Sequence, residues 1–252
     1  MKKKIGIIIV ARMNSNRLPK KHLYQVCDKY MIEHLLSRVQ KVKYVDKIIL
    51  ATTNLKSDDE LVTVAKKNNV SYFRGDNKNV LRRVLMSSKK FNLKRICLIT
   101  GDCPIIDPKL IENMIDLSNK NDKLDYINNG ELGLPNGMGC QIISLSALQK
   151  SYLIIKQKDE IEHVSLCIRR NEKIFKCLYV KAEKMNYCPK LSITLDEYED
   201  YILIKKIIEF FFKNKNYYFS CHDIIKLMQN NKSWFLINKH INRVEKKIKF
   251  SY

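Results

Sequence analysis

The stretch Ile5-Gly6-Ile7-Ile8-Ile9-Val10-Ala11-Arg12-Met13-Asn14-Ser15-Asn16-Arg17-Leu18-Pro19-Lys20-Lys21 decides the fold of this chain. Its first part is a continuous apolar run of strand length, the pattern of a strand buried on both faces of a sheet. The second part breaks into a loop that gathers the cations Arg12, Arg17, Lys20 and Lys21 around the small polar residues Asn14, Ser15 and Asn16. Lysines ahead of an apolar run imitate a signal peptide, but the run is short and ends at Arg12, so it reads as a strand.

Outward from this stretch the alternation repeats. Strands are expected at Ile5–Ala11, Lys47–Ala51, Val70–Phe73, Arg95–Ile99 and Leu124–Ile127, and helices at Met31–Val42, Asp58–Asn68, Asn79–Lys90 and Pro108–Ser118. Asp58-Asp59-Glu60 places acids in a first helical turn, and Asp107-Pro108 is an N-cap followed by proline at the first helical position. The result is an α/β fold, a mostly parallel central sheet with helices on both faces, which binds ligands where strand carboxyl ends meet loops. Beyond Asn128 come a loop at Gly130–Gly139, a strand at Gln141–Ser144, a helix at Ile161–Arg169, strands at Phe175–Val180 and Leu191–Leu195, and a long amphipathic helix at Glu197–Lys213. We read this half as an elaboration of the same sheet.

Among the 252 residues, 47 Lys+Arg stand against 26 Asp+Glu, a net charge of +21, while 45% are hydrophobic, so a disordered polymer is excluded. The charge suits polyanionic partners, yet it is spread through a Lys-, Asn- and Ile-rich chain, the bias of an AT-rich genome. No helix-turn-helix, zinc or RNP pattern supports a nucleic-acid binder. The 8 cysteines form no C-x-x-C pair and read as small core residues of a reducing, cytoplasmic compartment. No stretch approaches the ~20 apolar residues of a membrane span.

Chemistry is expected where strands end. Arg12 and Arg17 each offer a bidentate fork to phosphate oxygens, Lys21 a compact charge, and Ser15 with backbone N–H groups fills remaining acceptors, an arrangement suited to a triphosphate. Neither a Walker A loop nor G-x-G-x-x-G is present. Asp102 follows Gly101 at the end of the fourth strand, and Asp196 ends Leu191-Ser192-Ile193-Thr194-Leu195. Two carboxylates at two strand ends can share Mg²⁺, which takes one or two carboxylates plus phosphate oxygens. The Tyr/Phe-rich segment Phe210–Phe219 reads as core packing or a homodimer seam rather than a base-stacking platform.

Taken in order, Ala11-Arg12-x-x-Ser15-x-Arg17-Leu18-Pro19-x-Lys21, Ala51-Thr52-Thr53, Phe73-Arg74-Gly75-Asp76, Thr100-Gly101-Asp102-Cys103-Pro104-Ile105-Ile106-Asp107-Pro108, Glu162-His163-Val164 with Ile168-Arg169-Arg170, and Leu195-Asp196 resemble the spore-coat polysaccharide biosynthesis F-type cytidylyltransferases, relatives of the CMP-sialic acid and CMP-Kdo synthetases. The resemblance covers roughly residues 5–210. It implies a Rossmann-like nucleotide-diphospho-sugar transferase fold that uses CTP and Mg²⁺ to activate a sugar, of ulosonic-acid type, as its CMP derivative for surface glycan synthesis, releasing pyrophosphate. By motif, Arg12, Ser15, Arg17 and Lys21 hold the triphosphate, Asp102 and Asp196 the metal, Arg74 lies near the nucleotide, and Ala11 and Thr100 near the base. Residues 1–213 then form the catalytic domain. Residues 214–252 form a basic helical extension packed on it, with a helix at His222–Asn230, Trp234 and a basic end at Arg243–Lys249. A metal-dependent glycosyltransferase of the same fold is the competing enzyme reading, but its usual Asp-x-Asp is absent from the Asp102–Asp107 loop.

Two departures matter. Lys20 stands where the family usually has glycine, and Asn136-Gly137-Met138-Gly139-Cys140-Gln141-Ile142 replaces a loop that often reads Asp-Gly-x-Asp-Val-Glu-Val. The second removes negative potential from the acceptor half of the cleft, so Asn136 and Gln141, with His163, are the expected contacts to an anionic acceptor.

Overall fold

The computed structural model describes residues 4–241 and 243. In chain order the elements are β1 (Ile5–Val10), the short β2 (Gln25–Val26) and β3 (Lys29–Tyr30), α1 (Met31–Val39), β4 (Lys47–Thr53), α2 (Asp59–Lys67), β5 (Ser71–Gly75), α3 (Val80–Lys90), β6 (Arg95–Thr100), α4 (Pro108–Lys120), β7 (Tyr126–Asn128), β8 (Gln141–Ser144), α5 (Leu145–Ile154), α6 (Asp159–Glu162), α7 (Leu166–Arg170), β9 (Cys177–Tyr179), α8 (Tyr198–Lys213) and α9 (Cys221–Asn230). Among the described residues, a seven-stranded sheet runs in the order β5-β4-β1-β6-β8-β7-β9, and β2 pairs with β3 in a separate hairpin. The β5-β4-β1-β6 half is parallel, β8 is antiparallel to both of its neighbours, and β9 lies parallel to β7.

Alternation along β1 builds both layers. Ile5, Ile7 and Ile9 face α1, α2 and α4, whereas Ile8 faces α3, α5 and α7. Ile7, Ile8 and Ile9 are wholly buried, and each such side chain contributes about 1.5–3 kcal/mol. A third cluster lies beside the sheet, where α8 and α9 bury Ile204, Ile208, Phe219 and Ile224 against Leu18, Ile105 and Leu195 from loops at the sheet's edge.

Helix starts follow side-chain caps. Asn79 accepts the N–H of Arg82, and Asp107 accepts that of Lys109 at 2.8 Å. The second Asp107 oxygen takes the N–H of Cys221 at 2.8 Å, and buried Arg38 donates to the carbonyls of Ile106 and Phe219, so α9 is bonded to the loop that follows β6.

Two expected elements are corrected. Leu191–Leu195 is no ladder strand: it is buried extended chain whose sheet-like pairing is a single bridge, Asn136 to Ser192. The expected helix Ile161–Arg169 is broken into α6 and α7, with His163 in an extended conformation between them. The helix α5 and the β2–β3 hairpin are additions to the expected elements. Apart from Arg243, the basic end Arg243–Lys249 lies outside the described residues. No described helix is long and apolar enough to cross a membrane.

Candidate active site

The sheet reverses direction of growth at β1: the chain builds β4 and β5 on one side, then crosses to place β6 on the other. Crevices form at such points. Val10 pairs with Thr100, and Gly101 donates its N–H to the Val10 carbonyl at 2.9 Å, so the two loops leave the sheet side by side. A Cβ on Gly101 would stand 2.8 Å from Ala11 Cβ and 2.9 Å from His22 Cε1, which is why this position must be glycine.

Asp58 anchors the first loop. It is buried, and its carboxylate accepts the Met13 N–H at 2.8 Å, both hydroxyls of Thr52 and Thr53, and the Thr53 N–H. Burial pushes this carboxyl up, but bonds from Thr53, Met13 and Thr52 outweigh it and hold it below the usual aspartate value.

At the mouth of the crevice, Lys21 is only 8% exposed. Its Nζ lies 2.8 Å from Asp196 Oδ1 and 3.6 Å from Asp102 Oδ2, and Arg17 Nη2 also reaches Asp196 Oδ1 at 2.8 Å. Burial pushes the Asp196 carboxyl up, and Lys21, followed by Arg17 and Arg243, more than reverses this. Burial, with Lys21 adding, brings the neighbouring His22 imidazole down to about 4, so it is neutral, and its Nδ1 has no partner among the described residues. The cations assigned to phosphate and the acids assigned to metal therefore hold one another.

Thr100, Asp102, Asn136, Gln141 and Asp196 line one cleft of about 310 Å³. The other expected residues are placed elsewhere. Ser15 lines a separate hollow with Lys20 and Lys56, and its hydroxyl accepts from the Leu18 N–H at 3.4 Å. Arg12 pairs with Glu162 at 3.1 Å. The Arg74 guanidinium is taken up by the carbonyls of Thr53 and Leu55 and by Asp59, bracing the connection from β4 to α2. Ala11 is buried and packs on Gly101; His163, exposed after α6, does not line the cleft.

Asn136 holds a structural post as well as a cleft position: its Nδ2 donates to Ser192 and Thr194 hydroxyls, each at 3.2 Å. Gln141 Oε1 is buried in the cleft wall without a partner among the described residues. The 136–142 loop carries no acid, but Glu131, ahead of it, lines the cleft, accepts from Asn128 at 2.9 Å and pairs with Arg169 at 2.7 Å. Burial, only partly offset by Arg169, pushes its carboxyl up. Glu131 lies in the glycine loop and Arg169 in α7, 38 positions apart, so their pairing across the fold has no local signal.

No group of three or more His, Cys, Asp or Glu side chains forms a metal cage among the described residues. Two carboxylates converging on one buried ammonium are nonetheless a hard-oxygen pair around a cationic position, and they fit Mg²⁺ completed by phosphate oxygens and water.

The chain resembles known proteins along most of its length. An uncharacterized protein of Methanocaldococcus jannaschii is 33% identical over 225 residues, 84% of this chain and 91% of its own. The spore coat polysaccharide biosynthesis protein SpsF of Bacillus subtilis is 29% identical over 211 residues, 81% of this chain and 86% of its own. Among solved structures, a cytidylyltransferase from Leptospira borgpetersenii superposes with TM-score 0.89 at 32% identity, covering 96% of this chain and 100% of that one. The cytidylyltransferase family itself matches residues 6–241, a span that takes in both acid-bearing loops and the cationic loop between the sheet and Lys21. A match of that extent makes this chain a member of the cytidylyltransferase family, and so a nucleotidyltransferase.

Proposed function

We propose that this enzyme transfers the cytidylyl group of CTP to a hydroxyl of an acidic, ulosonic-acid-like sugar, releasing pyrophosphate, and that it does so in the cytoplasm to supply surface polysaccharide synthesis. The observation that supports this reading is the Lys21 ammonium shared between Asp102 and Asp196 at the reversal point of the sheet. The name of the Bacillus subtilis relative supports the polysaccharide context.

In the reaction the sugar oxygen forms a bond to the α-phosphorus, the bond from α-phosphorus to the bridging oxygen breaks, and the hydroxyl proton passes to solvent. Arg17 and Lys21 grip the triphosphate and stabilise the charge that grows on departing pyrophosphate. Arg12, on the same loop, adds a further cation once it leaves Glu162, whereas Ser15 faces the separate hollow. Asp102 and Asp196 would hold Mg²⁺, which neutralises phosphate charge when bound. Thr100 lies beside the nucleotide, and Gln141 faces the acceptor half. Nothing in this scheme needs a nucleophilic side chain.

The test is pyrophosphate release with each of the four NTPs, Mg²⁺ and a panel of ulosonic acids. Release with CTP and one of these acids is expected; release with no CTP preference, or sugar transfer from a preformed nucleotide-sugar with liberation of the nucleotide, would defeat the reading.

A further inference from the structure

Asp200, in the first turn of α8, is 0% exposed and meets the Asp196 loop from behind. Its Oδ2 accepts the backbone N–H of Asp196 at 3.1 Å and of Glu197 at 3.0 Å. From the other side comes the end of the chain. Asn238 Nδ2 donates to Asp200 Oδ1 at 2.7 Å, and the Arg243 guanidinium reaches both carboxylate oxygens. The same two residues grip the extended segment that leads to Asp196: Asn238 Nδ2 donates to the Ser192 carbonyl at 2.9 Å, and Arg243 Nη1 to the Thr194 hydroxyl at 3.3 Å.

A carboxylate shut away from water persists only when paired and hydrogen-bonded. The only cation in contact with Asp200 among the described residues is Arg243. Every acceptor position on Asp200 is used, and all of them serve either the Asp196 turn or the chain end. The extended segment needs this support, because it has one bridge in place of a ladder.

We propose that Asn238 and Arg243 are positioning residues of the active site, acting through Asp200 to hold the Asp196 carboxylate against Lys21 and Asp102. The catalytic consequence rests on the reading of Asp196 as a cation ligand; the positioning itself does not. The C-terminal extension thereby belongs to the site rather than merely covering the domain.

Full-length Arg243→Ala, Arg243→Lys and the double variant Asp200→Asn with Arg243→Met separate the roles. The double variant removes the buried charge pair yet keeps an amide oxygen for the two N–H groups. Amide hydrogen exchange at residues 195–200, affinity for Mn²⁺ alone and Mg²⁺-free CTP affinity are measured on each. Arg243→Ala is expected to speed exchange at Asp196 and Glu197 at least tenfold and to weaken Mn²⁺ at least tenfold, leaving Mg²⁺-free CTP affinity within twofold. Arg243→Lys and the double variant are expected to recover most of the exchange protection. Parental exchange in Arg243→Ala overturns the proposal, and so does an equal loosening of β1 and β4, which would mean general destabilisation. Recovery in neither rescue variant also overturns it. Parental Mn²⁺ affinity in Asp196→Asn defeats the cation reading instead, and leaves exchange to decide the positioning.

Discussion

The backbone N–H of Leu195 donates to the carbonyl of Asp102 at 2.8 Å, so the two loops that carry the acids are bonded to each other directly beside their carboxylates. Asp102 and Asp196 thus approach Lys21 as one unit.

Asp102→Asn and Asp196→Asn are each expected to slow CTP-dependent pyrophosphate release by about 100-fold, near 3 kcal/mol of barrier. An amide keeps the shape and loses the charge that holds a hard cation. Calorimetry without Mg²⁺ should find CTP affinity retained or improved in Asp196→Asn, because Arg17 and Lys21 lose a competing carboxylate. Parental rates in both variants at limiting Mg²⁺ would refute the two-carboxylate account.

Arg17→Ala should weaken CTP binding by about 1.5–3 kcal/mol, the range for a hydrogen bond to a charged group. Lys20 behaves differently. It sits at φ 54°, in the left-handed region, where a side chain costs about 1–2 kcal/mol. Lys20→Gly should leave CTP affinity unchanged and raise the melting temperature by about 2–4 °C. Equal losses of CTP affinity at both positions would mean that general basicity, not a specific fork, grips the nucleotide.

Asp58→Asn should cost about 2–3 kcal/mol at pH 7, since a buried acceptor of several bonds loses its charge. The sign of the pH dependence follows from its lowered carboxyl. That stabilisation is fully present above the unfolded value of 3.8 and is lost as pH falls through the lower folded value. Chemical denaturation from pH 7 to pH 2 should therefore show the two proteins converging only below about pH 4; a constant gap would exclude the titration.

Gln141→Glu should lower kcat/KM for a carboxylated sugar about fivefold more than for its neutral analogue, the effect of about 1 kcal/mol of like-charge repulsion in a wet cleft. Asn136→Asp is a poorer probe, because the Asn136 amide also supports Ser192 and Thr194 and its loss would reach both acceptors. An equal effect of Gln141→Glu on both sugars removes this side chain from acceptor choice.

Much of the parallel half was legible because its signals are local. The apolar run of β1, the Asn79 and Asp107 caps and the glycine before Asp102 each declare themselves within a few residues. The second half resisted for the opposite reason. Leu191–Leu195 has the apolarity of a strand, but its partners include Asp102, Asn136, Asn238 and Arg243, which no window of sequence contains. The break at His163–Ser165 lies inside a helical pattern whose Val164 and Ser165 are buried regardless. Asp58 reads in sequence as a first-turn acid, and its bond to Met13 appears only when β1 and β4 lie side by side.

The shared ammonium of Lys21 has a thermodynamic consequence. A divalent cation that takes Asp102 and Asp196 liberates Lys21 and Arg17, and a polyphosphate that takes Lys21 and Arg17 liberates the two carboxylates. Each ligand would remove the other's competitor, so on the proposed reading their bindings would be linked with positive cooperativity, by a factor that must be the same in both directions. On the proposed reading, a site whose charges are matched internally would discriminate against lone anions and lone cations alike and favour the pair.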